Sequence, residues 1–211
     1  IPSPQVFDHS ITAIIIGIVV ALVGQIIRVA TIGLVYIIRG GKNRRVYAED
    51  LITTGIFAHC RNPLYVGNIL ILIGLGIASN SLLFMAIITP LFLFIYQAIV
   101  RAEENFLSNK FRTGFDAYCK DVNRWIPSLQ GLGDTLNSMK FKWNRVIIRE
   151  YNATFIWMLG ATLVVAMHFY RNPVLYDFEG NKLIFISVII ALATMYLTAR
   201  YLKKSGTITS D

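Results

Sequence analysis

Seven residues in two short clusters have the chemical types and the placement to do chemistry. Arg61, Asn62, Pro63 and Tyr65 stand at the start of a run of 37 residues, 64–100, that contains no charged side chain, and Arg101, Glu103 and Glu104 stand at its end. If the run folds back on itself, two cations and two carboxylates meet at one boundary, beside the polar atoms of Asn62 and Tyr65. Pro63 biases Asn62 away from the α region and suits the first turn of a helix. The amides of Leu64 and Tyr65 would then face a ligand at a helix N-terminus. The plainer alternative makes Arg61 a snorkelling anchor and Asn62-Pro63 a simple cap.

The composition says what must position these groups. The chain has 211 residues, of which 55% are hydrophobic and 15% charged, against about 25% charged in soluble domains. Mean hydropathy is +0.57. Long apolar runs cover 10–38 (interrupted only by Arg28), 64–100, 152–170 and 183–198, and about 20 apolar residues suffice to span a bilayer. An all-α integral membrane protein is expected. The first run has no basic n-region and no small-residue cleavage site, so it is not a signal peptide. The chain begins at Ile1 rather than Met, which leaves room for further sequence upstream, including a span.

The net charge of +8 lies beside the spans, in RGGKNRR (39–45), KFKWNRVIIR (140–149) and RYLKK (200–204). That is the pattern of cytoplasmic loops, not a nucleic-acid patch. Cys60 and Cys119 fall in segments placed on the cytoplasmic side, where thiols stay reduced. His9, His59 and His168 have no metal-ligand spacing, and no metal site is expected.

About five transmembrane segments follow from these runs. The first covers about 11–38, with Gln25 and Arg28 on one face. An ionisable residue at that depth points either to function or to polar packing against another helix. A helical hairpin over about 64–78 and 82–101 turns at ASNS (78–81), with a kink expected at Pro90. Residues 101–127 read as one cytosolic amphipathic helix, with Phe106, Leu107, Phe111, Phe115, Tyr118 and Val122 on one stripe, ended by Pro127. A linker (128–140) leads to spans over about 152–170 and 183–202. The chain divides into an N-terminal helix and basic loop (1–45), a core (46–128), and a linker with two C-terminal helices (129–211). The loops 39–63 and 101–151 face the cytoplasm.

The segment LITTGIFAHCRNPLYVGN, followed 38 residues after Tyr65 by EENFLSNKFRTGFDAYCKDVNRWIP, resembles the membrane methyltransferases related to isoprenylcysteine carboxyl methyltransferase and to phospholipid N-methyltransferases. The matching positions are Leu51, Ile52, Gly55, Arg61, Asn62, Pro63, Tyr65, Glu103, Glu104, Leu107, Phe111, Tyr118, Val122, Arg124, Trp125 and Pro127. The resemblance implies S-adenosylmethionine as cofactor, in a cytosolic pocket capped by the amphipathic segment. It implies cofactor contacts from Asn62, Pro63, Leu64 and Tyr65, from Glu49, Asp50, Leu51, Ile52 and Phe57, and from Glu103 or Glu104 on the opposite side. Arg101, Glu103, Glu104 and Tyr65 are the candidate catalytic residues. Methyl transfer from a sulfonium is an in-line displacement, so positioning and water exclusion carry much of the catalysis. An amine acceptor also needs a base, for which Glu103, Glu104 and Tyr65 are candidates.

The chain departs from the family pattern in several places. Asn62 stands where isoprenylcysteine enzymes have His, Phe57 replaces Tyr, and Arg112 with Gly114 disturbs a Phe-Gly step. Arg101 lies two residues before the first Glu rather than four, a rotation of about 200° on a helix, which disfavours a substrate-carboxylate role. The expected acceptor is a membrane lipid or lipophilic small molecule: a phospholipid amine, or a prenyl, thiol or carboxyl compound. Two other readings compete, an NADPH-dependent membrane reductase of the sterol reductase type and a non-catalytic lipid-binding membrane protein.

Overall fold

A computed structural model describes residues 4–34, 50–172 and 175–209. The described chain is all-helical. Four helices are long and apolar enough to cross a membrane: α1 (Ser10–Leu34), α3 (Thr89–Phe111, continuous with a π-helical segment at Phe84–Ile88), α6 (Trp143–Arg171) and α7 (Phe178–Lys204). Between α1 and α3 lies α2 (Pro63–Ala78), apolar but only 16 residues long. The short helices α4 (Thr113–Asp121) and α5 (Leu132–Ser138) connect α3 to α6. The expected basic loop 39–45, Glu49 and the end of the first expected helix lie outside the described residues.

The core is a seam of small residues between α1 and α2. A Cβ on Gly17 would stand 2.4 Å from both the Ala78 nitrogen and the Gly74 carbonyl oxygen, and one on Gly74 would stand 2.5 Å from the Ala21 nitrogen and the Gly17 oxygen. Backbones can approach this closely only where side chains are missing, which is how helices gain van der Waals contact in lipid, with no hydrophobic force to drive them together. Helix α6 closes over the seam, packing Trp157 and Ala161 on Ala21 and Ile71.

The hairpin turn falls where the sequence placed it. Asn80 adopts φ 49°, tolerable for Asn, and its side chain accepts from the Val6 and Phe7 amides at 3.1 and 2.8 Å and donates to the Phe7 carbonyl at 2.9 Å. Residues 4–8 are thereby pinned on the turn. The irregularity expected at Pro90 appears as the π-helical segment just before it. Proline lacks an N–H and its ring crowds the carbonyl one turn earlier, and a widened turn makes room.

The single amphipathic helix expected over 101–127 is corrected by the structure. Helix α3 continues to Phe111, the chain breaks at Arg112, and α4 ends at Asp121. Arg112 has φ 43° and ψ −118°, a conformation that favours glycine. The break stands at the Phe-Gly step of the resembled family, with Arg112 in the glycine's place. The spans expected at 152–170 and 183–202 begin earlier, at Trp143 and Phe178, because a helix runs past the charge-free stretch that it buries.

Candidate functional site

The two ends of the hairpin meet. Pro63 opens α2 and Asn62, at φ −131° and ψ 53° outside both the helical and the extended regions, precedes it. From the first turn of α2, the Tyr65 hydroxyl donates to Glu103 Oε1 on α3 at 2.7 Å. The Tyr65 ring also tilts against Tyr96 with centroids 5.9 Å apart. One residue further along α3, Glu104 takes both arginines: Arg124 Nη2 lies 2.6 Å from Oε2, Arg124 Nε donates to Oε1 at 3.1 Å, and Arg61 Nε lies 3.2 Å from Oε1.

Arg61 ties this clamp to the end of α4. Its Nη1 donates to the carbonyls of Cys119 and Val122 at 3.0 and 3.2 Å, and its amide donates to the Asn123 carbonyl at 2.9 Å. Arginine suits the position because its planar fork can serve a carboxylate and carbonyls at once. Around it, the Tyr118 hydroxyl donates to the Phe57 carbonyl at 2.7 Å, Asn62 Nδ2 to the Arg124 carbonyl at 3.4 Å and Trp125 Nε1 to Gln97 Oε1 at 3.2 Å. His59 is held between the Ser128 carbonyl at 3.0 Å and Thr135 Oγ1 at 2.9 Å. The segment 118–128 thus folds over residues 57–62.

Several residues expected at the site are brought together: Asn62 and Pro63 are buried, Leu64 and Tyr65 half-buried, and Glu103 and Glu104 face them. Phe57 is buried with Ile56, against Ile52 and Leu132, which makes it a support beneath the loop. Leu51 is half-buried, whereas Asp50 and Arg101 are exposed. Arg101 enters none of the contacts above, in keeping with its shifted register. Sequence reasoning left Arg124 and Tyr118 as pattern positions and did not find their partners. The Arg-Trp step at 124–125 is the signal that marks them.

One buried donor stands out. Arg61 Nε is buried and has no hydrogen-bond acceptor. Glu104 Oε1 is close enough for an ion pair, but the N–H is not aimed at it. The ion pair offsets the charge but leaves this N–H without an aligned acceptor, which a carboxylate-bearing ligand would supply. The Leu64 amide in the first turn of α2 has no intrahelical carbonyl to bond. An N–H of Arg61, the start of α2 and the Tyr65–Glu103 pair together fit a ligand with a carboxylate and a positive group, as S-adenosylmethionine has.

The two thiols are quiet. Burial pushes the Cys60 pKa up, opposed by its hydrogen bond with Asn62 and by the Arg61 charge. Burial likewise raises Cys119. Both stay protonated at neutral pH. Among the described residues no three His, Cys, Asp or Glu side chains are grouped as metal ligands.

The comparison with known families bears on this geometry. The phospholipid methyltransferase family model matches residues 11–114. The matched segment covers α1 from its second residue, α2, α3 and every group of the Tyr65–Glu103 and Arg61–Glu104 pairs, whereas Arg124 and α5–α7 lie beyond it. Two curated relatives are similar to the chain. The nickel-cobalt-cadmium resistance protein NccN of Alcaligenes xylosoxydans xylosoxydans is 31% identical over 118 residues, 56% of this chain and 54% of its own length. The cobalt-zinc-cadmium resistance protein CzcN of Cupriavidus metallidurans is 31% identical over 145 residues, 66% of this chain and 62% of its own length. The chain therefore spans little more than half of these relatives. No solved structure matches it.

Proposed function

We propose that this protein transfers a methyl group from S-adenosylmethionine to a lipophilic acceptor at the cytoplasmic face of the membrane. The observation that carries the reading is the convergence of Tyr65, Glu103, Arg61 and Glu104 at one end of an apolar hairpin, within a phospholipid methyltransferase family segment.

When bound, the cofactor supplies an electrophilic methyl group on a sulfonium. The chain's own residues bind, orient and exclude water. Arg61 Nε and the first turn of α2 would hold the cofactor's carboxylate end, with Asn62 and Pro63 beside it. The clamp of Glu104 with Arg61 and Arg124 keeps segment 118–128 folded over the cofactor. Glu103 takes the proton that an amine acceptor must lose, because Glu104 is committed to two guanidinium groups. The Tyr65 hydroxyl, 2.7 Å from Glu103 Oε1, orients that carboxylate.

The test is calorimetric binding of S-adenosylhomocysteine to the purified protein, followed by incubation of membranes with labelled S-adenosylmethionine and mass analysis of the extracted lipids. Tyr65→Phe, which frees Glu103 from its hydroxyl partner, should lower turnover about 10–100-fold, at or below the usual range for a positioned acid–base group. Failure of the wild-type protein to bind either cofactor form would sink the reading. The relatives' names concern metal resistance and state no reaction, so the acceptor is the quantity this experiment identifies.

A further inference from the structure

A second polar cluster lies deeper in the helices and takes no part in the chemistry above. Arg28 on α1 and Glu150 on α6 form a buried ion pair, with side-chain exposures of 13% and 2%. The guanidinium meets the carboxylate side-on: Nε donates to Oε1, and Nη2 donates to Oε2 at 2.8 Å. Gln25, one turn before Arg28, donates to Glu150 Oε1 at 3.4 Å and to Thr154 Oγ1 at 3.0 Å, and accepts from Trp157 Nε1 at 2.8 Å.

The remaining edge of the guanidinium reaches the candidate site's own helix. Arg28 Nη1 donates to Asn68 Oδ1 on α2. The arginine stem lies across Gly67, where a Cβ would stand 2.5 Å from Arg28 Cγ. Asn68 is three residues after Tyr65, one turn on and on a neighbouring face. Because the carboxylate fixes the plane of the fork, Nη1 can point in only one direction. Rotating α2 by one residue would take Asn68 off the guanidinium and leave donors unsatisfied among apolar helices.

We infer that Glu150 is a positioning residue for the Tyr65–Glu103 site: acting through Arg28 and Asn68, it sets the rotation and depth of the first two turns of α2. Helix α6, beyond the segment that the family model matches, thereby becomes part of what aims Tyr65. The inference deepens the reading above and rests on it only for the turnover measurement.

The experiment uses the full chain in phosphatidylcholine nanodiscs and reads amide hydrogen exchange along α2. Glu150→Gln and Asn68→Leu should speed exchange at residues 66–70 at least tenfold and leave residues 72–78 unchanged. Asn68→Asp, which keeps an acceptor for Arg28, should stay within about twofold of wild type. Asn68→Leu suits the apolar interior and leaves the ion pair intact, so it decides the question if Glu150→Gln does not fold. Unchanged exchange in Asn68→Leu overturns the inference, as does an equal loss of protection along α1, α2 and α6, which would mark a purely structural pair. With labelled S-adenosylmethionine, Asn68→Leu should lower kcat at least tenfold at constant KM, and equal kcat in the two proteins also overturns it. A wild-type protein that binds no cofactor removes the proposed function and leaves the exchange result to stand alone.

Discussion

Glu104→Ala should destabilise the protein by about 3 kcal/mol and abolish S-adenosylhomocysteine binding. Removing one partner of a buried pair costs roughly 3–5 kcal/mol, because the remaining charge is left uncompensated. The low end applies because Arg124 is a third exposed and can turn to solvent, whereas the side chain of Arg61 is 11% exposed and cannot. Loss of the carboxylate also removes the anchor of Arg124 and so loosens segment 118–128 over residues 57–62, weakening the cofactor's cover. Glu104→Gln keeps an acceptor for Arg124 and should fall between wild type and alanine. Unfolding in a denaturing detergent titration, read beside calorimetry, checks both effects. A stable Glu104→Ala protein with normal binding would show that the clamp neither holds the fold nor serves the site.

Gly74→Leu should prevent α1 and α2 from assembling, and Gly74→Ala should already cost at least the 1–3 kcal/mol typical of overpacking. The added Cβ would meet backbone atoms of Ala21 and Gly17 at 2.5 Å, and backbone cannot move aside as a flexible side chain can. Separating the helices also draws Arg28 away from Asn68, so activity should fall further than stability in the alanine variant. Size-exclusion profiles and unfolding titrations of the two variants provide the measurement. A monodisperse Gly74→Leu protein with wild-type stability would refute the seam.

How much of this was legible in the sequence varies from element to element. The hairpin was, because charges at both ends of a 37-residue apolar run can share a boundary only if the run turns back. That the residues around Arg61 and Tyr65 meet those around Glu103 and Glu104 followed from that, whereas the individual pairs, Tyr65 with Glu103 and Arg61 with Glu104, did not. The seam was not, since helices that are apolar all round carry little amphipathic signal. Its trace is the spacing of small residues at 17, 21 and 24 and at 67, 74 and 78. The break at Arg112 was hidden because no glycine marks it. Glu150 was missed for a different reason: a span drawn over the charge-free stretch from 152 leaves it outside, although the helix starts at Trp143. The polar packing against another helix that was one expectation for Arg28 is with a residue two positions beyond an expected boundary.

The shortness of α2 has a consequence for the lipid. Its 16 residues cover about 24 Å at 1.5 Å per residue, against a hydrocarbon thickness of roughly 30 Å. The 28 residues from Phe84 to Phe111 cover about 42 Å by the same measure. One arm of the hairpin falls short of the water and the other overshoots it, so a bilayer that matches α2 must thin beside it. Headgroups would then descend toward Pro63 and Tyr65, and on the proposed function an acceptor lipid would reach the site without leaving its leaflet. Turnover should accordingly be faster in bilayers of short acyl chains than of long ones, and equal rates across a thickness series would show that this mismatch does no work.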